Sequence, residues 1–326
     1  MTNFKRKYRA YKSLIDSRLA RCVTKNDPAS LYKPLKYILS GGGKRIRPLL
    51  ILLSCEAVGG KARDALHAAV AIEIVHNFTL VHDDIMDHAA SRRGRPTVHT
   101  QWDENVAILV GDELVALAYR ELLKTKSPAI ARVAEIFTEG VVEVCEGQAY
   151  DKEFETQKNV SLNDYLLMIG KKTGKLVAVA SEIGAVVGGG TAAEIRALQS
   201  YGELVGRAFQ VQDDLLDVVA DEKEFGKTIG GDIVEGKKTL LMIEAFRRSR
   251  GADKKLLRSI IVNRGTSAAR VDDVREIYRR YGIIEEARQL IARDTENANR
   301  HLHVLRSSDA RAMLYGFSDM LLKRNY

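Results

Sequence analysis

The chain has 326 residues, of which 45% are hydrophobic and 29% are charged. That composition excludes a disordered polymer, and the length suffices for one large domain or two of medium size. The net charge is +8, but residues 1–25 alone carry eight Lys or Arg against one acid. Because the rest of the chain is nearly neutral, the sequence does not favour a nucleic-acid partner.

Cysteine usage and hydropathy bear on the compartment. The three cysteines are Cys22, Cys55 and Cys145, and they show no metal-binding spacing such as C-x-x-C. An odd number of cysteines argues against a disulfide framework, so we expect a reducing, cytoplasmic location. No apolar run approaches the roughly 18–20 residues that a membrane span needs.

The N-terminal segment places apolar residues at steps of three and four between Phe4 and Cys22. This spacing predicts a first helix whose basic residues form a solvated face. Weak contact with a membrane surface and a transit peptide are the alternatives.

The remainder of the chain is predicted to be helical. Pro128 is the last of five prolines, so the 198 residues after it contain none. A proline-free tract rich in Ala, Leu, Glu, Lys and Arg favours helices over a turn-rich β fold. Glycines at 188–190 followed by Thr191-Ala-Ala-Glu194 predict a helix stop and a capping box. We therefore predict one all-α domain over residues 1–326. Its helices after the first are expected at 66–82, 106–124, 129–152, 162–187, 192–219, 238–250 and 270–305.

Three loops combine glycine with basic residues. They span residues 40–48, 88–103 and 220–238. Glycine lets a backbone approach a ligand closely and cations neutralise it, so these loops suit a phosphate ligand.

Two aspartate motifs share one pattern. Asp83-Asp84-x-x-Asp87 ends one apolar helix, and Asp213-Asp214-x-x-Asp217 lies inside another. Residues i and i+4 share a helix face, where like charges repel and burial adds a desolvation cost. A compensating cation is therefore expected. Carboxylates without His or Cys suit a hard ion, magnesium or calcium. The alternative is two solvated acidic helix ends, which the apolar flanks disfavour.

Other phosphate and metal sites fit less well. Gly226-Lys227-Thr228 ends like a P-loop, but the motif requires glycine where the chain has Asp221. No EF-hand loop, zinc motif or nucleophile–base arrangement is found.

The ordered motifs resemble those of the trans-isoprenyl diphosphate synthases. The matching segments are Gly-Gly-Gly-Lys44-Arg45-Ile-Arg47-Pro, Asp83-Asp84-x-x-Asp87 with Arg92-Arg93-Gly94, Lys172-Thr173, Phe209-Gln210-x-Gln212-Asp213-Asp214-x-x-Asp217 and Gly226-Lys227. Terpene cyclases share the first aspartate motif but carry an Asn/Ser/Glu motif in the second position, where this chain has aspartates. The resemblance implies an all-α bundle around a deep central cavity, usually in a homodimer. The implied reaction is the magnesium-dependent condensation of isopentenyl diphosphate with an allylic diphosphate, most like geranylgeranyl diphosphate synthesis.

The resemblance also assigns roles to individual residues of this chain. Three Mg²⁺ ions would be held directly by Asp83, Asp87 and Asp213, with Asp84, Asp214 and Asp217 around them. The allylic diphosphate would be held by Arg92, Lys172, Lys227 and Lys237, supported by Gln148 and Asp151. Thr173 and Gln210 would line the reacting end, and together with Lys172 and Lys227 they form the expected catalytic group. Isopentenyl diphosphate would be held by Lys44, Arg47, His76 and Arg93. The loop 220–238 and the basic C-terminus are expected to close over the site.

Product length is expected to depend on Phe78 and Thr79. Phe78 lies five residues before Asp83, about 7.5 Å along a helix axis. A bulky residue at this position, followed by a small one, resembles the geranylgeranyl type, which stops at twenty carbons. Helix geometry alone places Thr79 nearer the face of Asp83. A farnesyl or longer-chain synthase remains an alternative, as does a non-catalytic subunit of a heteromeric synthase.

Overall fold

The computed structural model describes residues 2–220 and 229–322, and these residues are almost entirely helical. In the N-terminal half the α-helices are α1 (Thr2–Leu19), α2 (Ala29–Leu39), α3 (Ile46–Ala57), α4 (Leu66–Met86), α5 (Val98–Gln101), α6 (Glu104–Leu122) and α7 (Ile130–Thr156). They are followed by α8 (Leu162–Ile169), α9 (Lys175–Val187), α10 (Ala192–Val219), α11 (Gly231–Val234), α12 (Leu240–Arg248), α13 (Gly251–Asn263), α14 (Val271–Arg280), α15 (Ile283–His301) and α16 (Asp309–Leu322). Short 3₁₀ turns occupy Ala62–Ala65, Ala268–Arg270 and Leu302–Val304. The all-α class is confirmed.

The described chain forms two compact units. The first contains the described residues up to Glu139, together with Val179–Leu198 and Val304–Leu314. The second contains Gly140–Ala178, Gln199–His303 and the described residues from Tyr315 onward. The first aspartate motif therefore belongs to the first unit and the second motif to the second unit. The organisation as a single domain stays a prediction.

Helix α4 is the core of the first unit. It packs against α3 and α6, and its residues from Ala68 to Ile72 are fully buried. Residues Ala62–Met86 are long and apolar enough to cross a membrane, but 61% of their most apolar window is buried inside the fold. This segment is thus an exception to the expectation that no apolar run approaches the length of a membrane span. Its burial against neighbouring helices accounts for its apolar composition.

The second unit is built around α10. Its buried Ala208, Val211 and Leu215 join an apolar core that also includes residues of α12, α14 and α15. The Arg207 guanidinium donates two hydrogen bonds, of 2.6 and 2.8 Å, to the buried Asp294 carboxylate on α15. This bidentate pair fixes α10 against α15, and α10 carries the second aspartate motif.

Several local predictions are confirmed. The helix at 192–219 has the expected bounds, and the capping box before it is present, with the Thr191 N–H donating to Glu194 Oε2 at 2.8 Å. Helix α1 buries Ile15 and Leu19 as expected. Two of its basic residues form ion pairs with acids of the first unit, Lys7 with Glu56 and Arg18 with Glu121.

Two predicted helices are interrupted. The segment 162–187 consists of α8 and α9 with one π-helical turn, Gly170–Gly174, between them. The segment 270–305 divides at Gly282, whose φ of 71° ends α14 and starts α15. In addition, residues Ser91–Arg92 and Arg95–Pro96 form a small antiparallel hairpin within the second loop. The apolar periodicity of the sequence does not detect the two helix breaks, because apolar residues continue at helical spacing on both sides of each.

In the glycine-rich loop before α3, two neighbouring cations have different surroundings. Lys44 is exposed, whereas Arg45 adopts a left-handed conformation with φ of 50° and is buried. Arg45 Nη1 donates to Glu73 on α4 at 2.6 Å, and its Nε donates to Asp16 on α1 at 2.8 Å. Arg45 therefore holds α1, α3 and α4 together.

We predict that Arg45→Ala lowers the free energy of unfolding by about 3–5 kcal/mol, because it leaves the buried Glu73 carboxylate without its cation. Lys44→Ala, at the exposed neighbouring position, should change stability by no more than about 0.5 kcal/mol. Urea denaturation followed by circular dichroism measures both. Equal effects of the two substitutions would contradict the structural role of Arg45.

Candidate active site

The first part of the candidate site lies where the glycine-rich loop meets the hairpin. Arg93, at the hairpin tip with φ of 53°, donates from Nη1 to the carbonyl oxygen of Gly42. The Tyr8 hydroxyl of α1 donates to the carbonyl oxygen of Lys44 at 2.8 Å. Two long-range contacts therefore hold this loop, and they bring the expected ligands Lys44 and Arg93 into one region of the first unit.

His76 lies on α4 in a strongly positive environment. Burial is the main reason that its pKa is well below the ordinary value, and the charges of Arg47, Arg93, Arg92 and Arg45 lower it further. A neutral imidazole surrounded by guanidinium groups is a suitable receptor for a multiply charged anion. The structure thus groups His76 with Arg47 and Arg93, as the assignment to one diphosphate site requires.

The first aspartate motif spans the end of α4. Asp84 is buried and accepts a hydrogen bond of 2.7 Å from Arg92 Nε, which lies on the first strand of the hairpin. Burial raises the pKa of Asp84, and the Arg92 charge opposes that rise. Asp83 is half-buried, and Asp87 is exposed just after the last helical residue. The middle carboxylate is thus committed to the protein.

The residues expected to limit product length lie on the same helix. The Phe78 ring packs edge-to-face on the His82 ring, with centroids 4.8 Å apart. The Thr79 hydroxyl donates to the His76 carbonyl at 2.9 Å. Phe78 and Thr79 are both half-buried, one to two turns before the motif.

The second aspartate motif is also held through its middle residue. The buried Asp214 carboxylate accepts hydrogen bonds from the Tyr165 hydroxyl at 2.6 Å and from Gln210 Nε2 at 2.7 Å. Burial raises the pKa of Asp214, and the charge of Asp232 adds to the rise. Tyr165 comes from α8, so this contact joins α8 to α10. The sequence alone does not indicate Tyr165, because an apolar helix offers no local signal for a buried phenol partner.

The hydrogen bonds of Gln210 have a defined direction. Since its amide nitrogen donates to a carboxylate, its oxygen faces the other way and accepts from the Thr173 hydroxyl at 2.8 Å. The hydroxyl proton of Thr173 is therefore committed to Gln210. On its remaining sides Thr173 Oγ1 can only accept, so it presents lone pairs.

Lys172 and Thr173 both lie in the π-helical turn, a feature that often occurs at functional sites. Helix α7 approaches this turn closely at Gly147, where an added Cβ would lie 2.3 Å from the Lys172 backbone nitrogen. One turn further along α7, Asp151 accepts a hydrogen bond of 2.5 Å from Lys172 Nζ. Gln148 is buried on the same helix. Three of the residues expected near the allylic diphosphate thus lie together.

The end of the second motif is joined to α11. Asp217 accepts a hydrogen bond of 3.0 Å from the backbone N–H of Asp232, and Lys237 forms an ion pair of 3.4 Å with the Asp232 carboxylate. Burial raises the pKa of both aspartates. Asp232 is a further acid at this site that the sequence analysis missed, although it lies in the third glycine-rich loop. Lys227 lies outside the described residues, as does much of the loop that is expected to close.

The donor set fits magnesium. Each motif offers carboxylate oxygens, and in residues 2–220 and 229–322 no three His, Cys, Asp or Glu side chains form a ready-made metal cluster. Magnesium normally takes only one or two carboxylates and completes its shell with water and substrate phosphate. In the first unit the residues that would hold magnesium are Asp83 and Asp87, and in the second motif the corresponding carboxylate is Asp213.

In each unit an aspartate motif lies near basic side chains, an arrangement that suits a diphosphate ligand bound with the help of a metal ion. The Polyprenyl synthetase family profile matches residues 28–279, and the chain belongs to this family. A short chain isoprenyl diphosphate synthase of Methanothermobacter thermautotrophicus is 41% identical, over 98% of both chains. A geranylgeranyl diphosphate synthase of Methanosarcina mazei is 38% identical over 96% of both. The crystal structure of a geranylgeranyl pyrophosphate synthetase from Pyrococcus horikoshii superposes with a TM-score of 0.92 at 38% identity, covering 99% of this chain and 98% of that one. The chain is therefore a trans-prenyl diphosphate synthase.

The low pKa of His76 predicts a pH dependence of stability. In the unfolded chain the imidazole titrates near pH 6.5, whereas in the folded protein it titrates lower. Below about pH 6.5 the unfolded state therefore binds a proton that the folded state does not, and stability falls with falling pH. We expect the unfolding free energy of the wild type to fall more steeply between about pH 7 and pH 5 than that of His76→Gln.

Inorganic diphosphate supplies a second measurement of the same residue. Its charge offsets the neighbouring arginines, so it should raise the pKa of His76 in an NMR titration. An unchanged pKa at saturating diphosphate would place the anion elsewhere.

Proposed function

We propose that this enzyme is a magnesium-dependent geranylgeranyl diphosphate synthase. It joins isopentenyl diphosphate to an allylic diphosphate, head to tail, and stops at twenty carbons. The observation that supports the reaction most directly is the arrangement of the aspartate motifs. In each motif the middle carboxylate is bound internally, by Arg92 or by Tyr165 and Gln210, while the first carboxylate is only half-buried.

The two substrates would occupy different groups of cations. Lys44, Arg47, His76 and Arg93 would bind isopentenyl diphosphate, and the neutral state of His76 reduces repulsion among these groups. Lys172, Arg92, Lys227 and Lys237 would bind the allylic diphosphate, with Gln148 and Asp151 in support. Asp151 orients Lys172 through their ion pair.

Three Mg²⁺ ions, when bound to Asp83, Asp87 and Asp213, would neutralise charge that develops on the leaving diphosphate. Asp84, Asp214 and Asp217 would keep those carboxylates in position. As the allylic C–O bond breaks, the hydrocarbon fragment becomes positively charged. The isopentenyl double bond forms the new C–C bond, and the proton lost from the adjacent carbon passes to the departed diphosphate.

Thr173 has a specific part in this step. Because its proton is held by Gln210, its oxygen presents lone pairs rather than a donor. Such an oxygen stabilises a developing carbocation and does not offer a proton to it. Exclusion of water is equally important, since water would capture the cation. Closure of the loop 220–238 and of the C-terminus is the proposed means.

Two findings support a twenty-carbon product. Phe78 places an aromatic ring on the helix that precedes the first motif, and the relatives from Methanosarcina mazei and Pyrococcus horikoshii carry geranylgeranyl names. The location we propose is the cytoplasm, which rests on the cysteine pattern of the sequence.

We predict that Asp83→Ala and Asp213→Ala each reduce turnover by several orders of magnitude, because each removes a carboxylate that would hold magnesium. The helical circular dichroism should remain, and Glu139→Ala, an exposed carboxylate on α7, serves as control. The assay incubates labelled isopentenyl diphosphate with each allylic primer and separates the products by chain length. Near-normal turnover in either variant at saturating magnesium would refute the metal assignment.

The same assay of the wild type tests the alternatives. A main product of fifteen carbons, or of more than twenty, would identify one of the alternative synthases, and an inactive wild type would support the partner-subunit alternative.

We also propose a homodimer that forms through α6. Leu109 and Leu123 expose 59% and 62% of their surface, and the exposed Ala116 lies midway between them at heptad spacing. With Ile108, 42% exposed, they are exposed apolar side chains of α6, next to Asp112 and Glu113, and a second copy of the chain would cover them.

Leu109→Glu should shift the sedimentation coefficient toward that of a monomer, because it places a charge among these apolar side chains, next to Ile108. Val262→Glu, at another exposed apolar residue, should leave the assembly unchanged. A dimer that survives Leu109→Glu would assign the interface to another surface.

A further inference from the structure

The contact between Phe78 and His82 extends to a third residue. Both rings lie on α4, one helical turn apart, with their planes inclined at 65°. On its other side the His82 ring lies against α6 at Gly111. A Cβ added to Gly111 would lie 2.0 Å from His82 Nε2 and 2.4 Å from its Cδ2. The imidazole is therefore enclosed between the Phe78 ring and the backbone of α6.

At Nε2 the His82 imidazole is held by close packing and not by a hydrogen bond. Within the described residues, His82 Nε2 is buried and has no hydrogen-bond partner. A buried polar atom without a partner costs about 1–3 kcal/mol. We infer that the packing of the His82 ring between the Phe78 ring and the backbone of α6 compensates for this cost.

Gly111 has the complementary property. It lies within the long helix α6, where glycine is about 1 kcal/mol less favourable than alanine. Because any side chain at this position would collide with the imidazole, glycine is needed for α6 to receive the ring. The glycine at position 111 leaves room for the His82 ring, and the His82 ring fills that room.

We propose that His82, seated on Gly111, is a positioning residue that fixes the Phe78 ring and thereby sets the length of the product. This inference rests on the proposed function, in which Phe78 stops the growing chain. Without the imidazole, the Phe78 ring can turn into the vacated space on the α6 side. The space available to an apolar product then increases, and each further CH₂ that is buried stabilises the longer chain.

The experiment measures product length and stability for one set of variants. The set comprises the wild type, Phe78→Ala, His82→Ala, Gly111→Ala and the double variant His82→Ala/Gly111→Ala. His303→Asn is the control, since His303 is an exposed histidine in the 3₁₀ turn Leu302–Val304. Each protein is incubated with farnesyl diphosphate and labelled isopentenyl diphosphate, and its melting temperature is recorded.

We expect His82→Ala to increase the fraction of products longer than twenty carbons several-fold, in the same direction as Phe78→Ala. His303→Asn should give the wild-type distribution. A merely structural role for His82 would lower stability and the amount of product without changing its length. A wild-type length distribution from folded His82→Ala, when Phe78→Ala elongates, would overturn the inference and leave the proposed function intact.

The melting temperatures test the contact between His82 and Gly111, even if Gly111→Ala folds poorly. The methyl group collides with the imidazole in the single variant and meets no ring in the double variant. The double variant should therefore melt at a higher temperature than Gly111→Ala alone, which is a non-additive result. Additive losses would show that the two residues do not depend on each other. A wild type that forms no twenty-carbon product would refute the proposed function, and the role of His82 in product length with it.

Discussion

Repulsion between neighbouring carboxylates is the constraint on which the structure around the site depends. Two aspartates in sequence on an apolar helix cannot both remain charged and buried without partners. The fold supplies a partner to the middle aspartate of each motif. Arg92 comes from a hairpin that closes back on α4, and Tyr165 comes from α8. The hairpin is therefore fixed at the site by the charge that Arg92 compensates, and α8 by the hydrogen bond that Tyr165 donates.

The same constraint governs the end of the second motif. Asp217 is satisfied by the backbone N–H of Asp232, and Asp232 in turn has Lys237 as a partner. The chain after α10 thus returns to the motif through a series of hydrogen bonds and an ion pair. Helix α4 combines two functions, since its buried face forms the core of the first unit while its end carries the first motif. A substitution in the core of α4 consequently acts on the site as well.

Most helices could be predicted from the sequence, whereas α2, α3, α13 and α16 were not predicted, and the failures at the site have a common physical cause. The bounds of α10 and its capping box depend on apolar periodicity and on residues three positions apart, so local sequence contains them. The π-helical turn at Lys172, the partner of Asp214 and the role of Asp232 depend on residues that are distant in sequence. Of the residues assigned by resemblance, His76 lies near Arg47 and Arg93, and Lys172 pairs with Asp151. Gly111 could not have been predicted, because its purpose becomes visible only when the His82 ring lies against it.

Doublets of like charge show how the chain separates stability from chemistry. Lys44-Arg45, Asp83-Asp84 and Asp213-Asp214 each consist of one buried residue and one that is half-buried or exposed. Neighbouring positions on a helix differ by about 100° in direction, and a left-handed residue reverses direction in a loop, so adjacent side chains face different surroundings. The buried member finds partners inside the protein: Glu73 for Arg45, Arg92 for Asp84, and Tyr165 with Gln210 for Asp214.

The other member of each doublet lies nearer the solvent, where substrate and metal arrive. A sequence motif of two identical charges therefore encodes two roles, and the direction of each side chain distinguishes them. Because the buried side chain is held by the protein, it stabilises the backbone that presents its neighbour. Loss of the buried side chain should disturb folding and site geometry together, whereas loss of its neighbour should affect the chemistry alone.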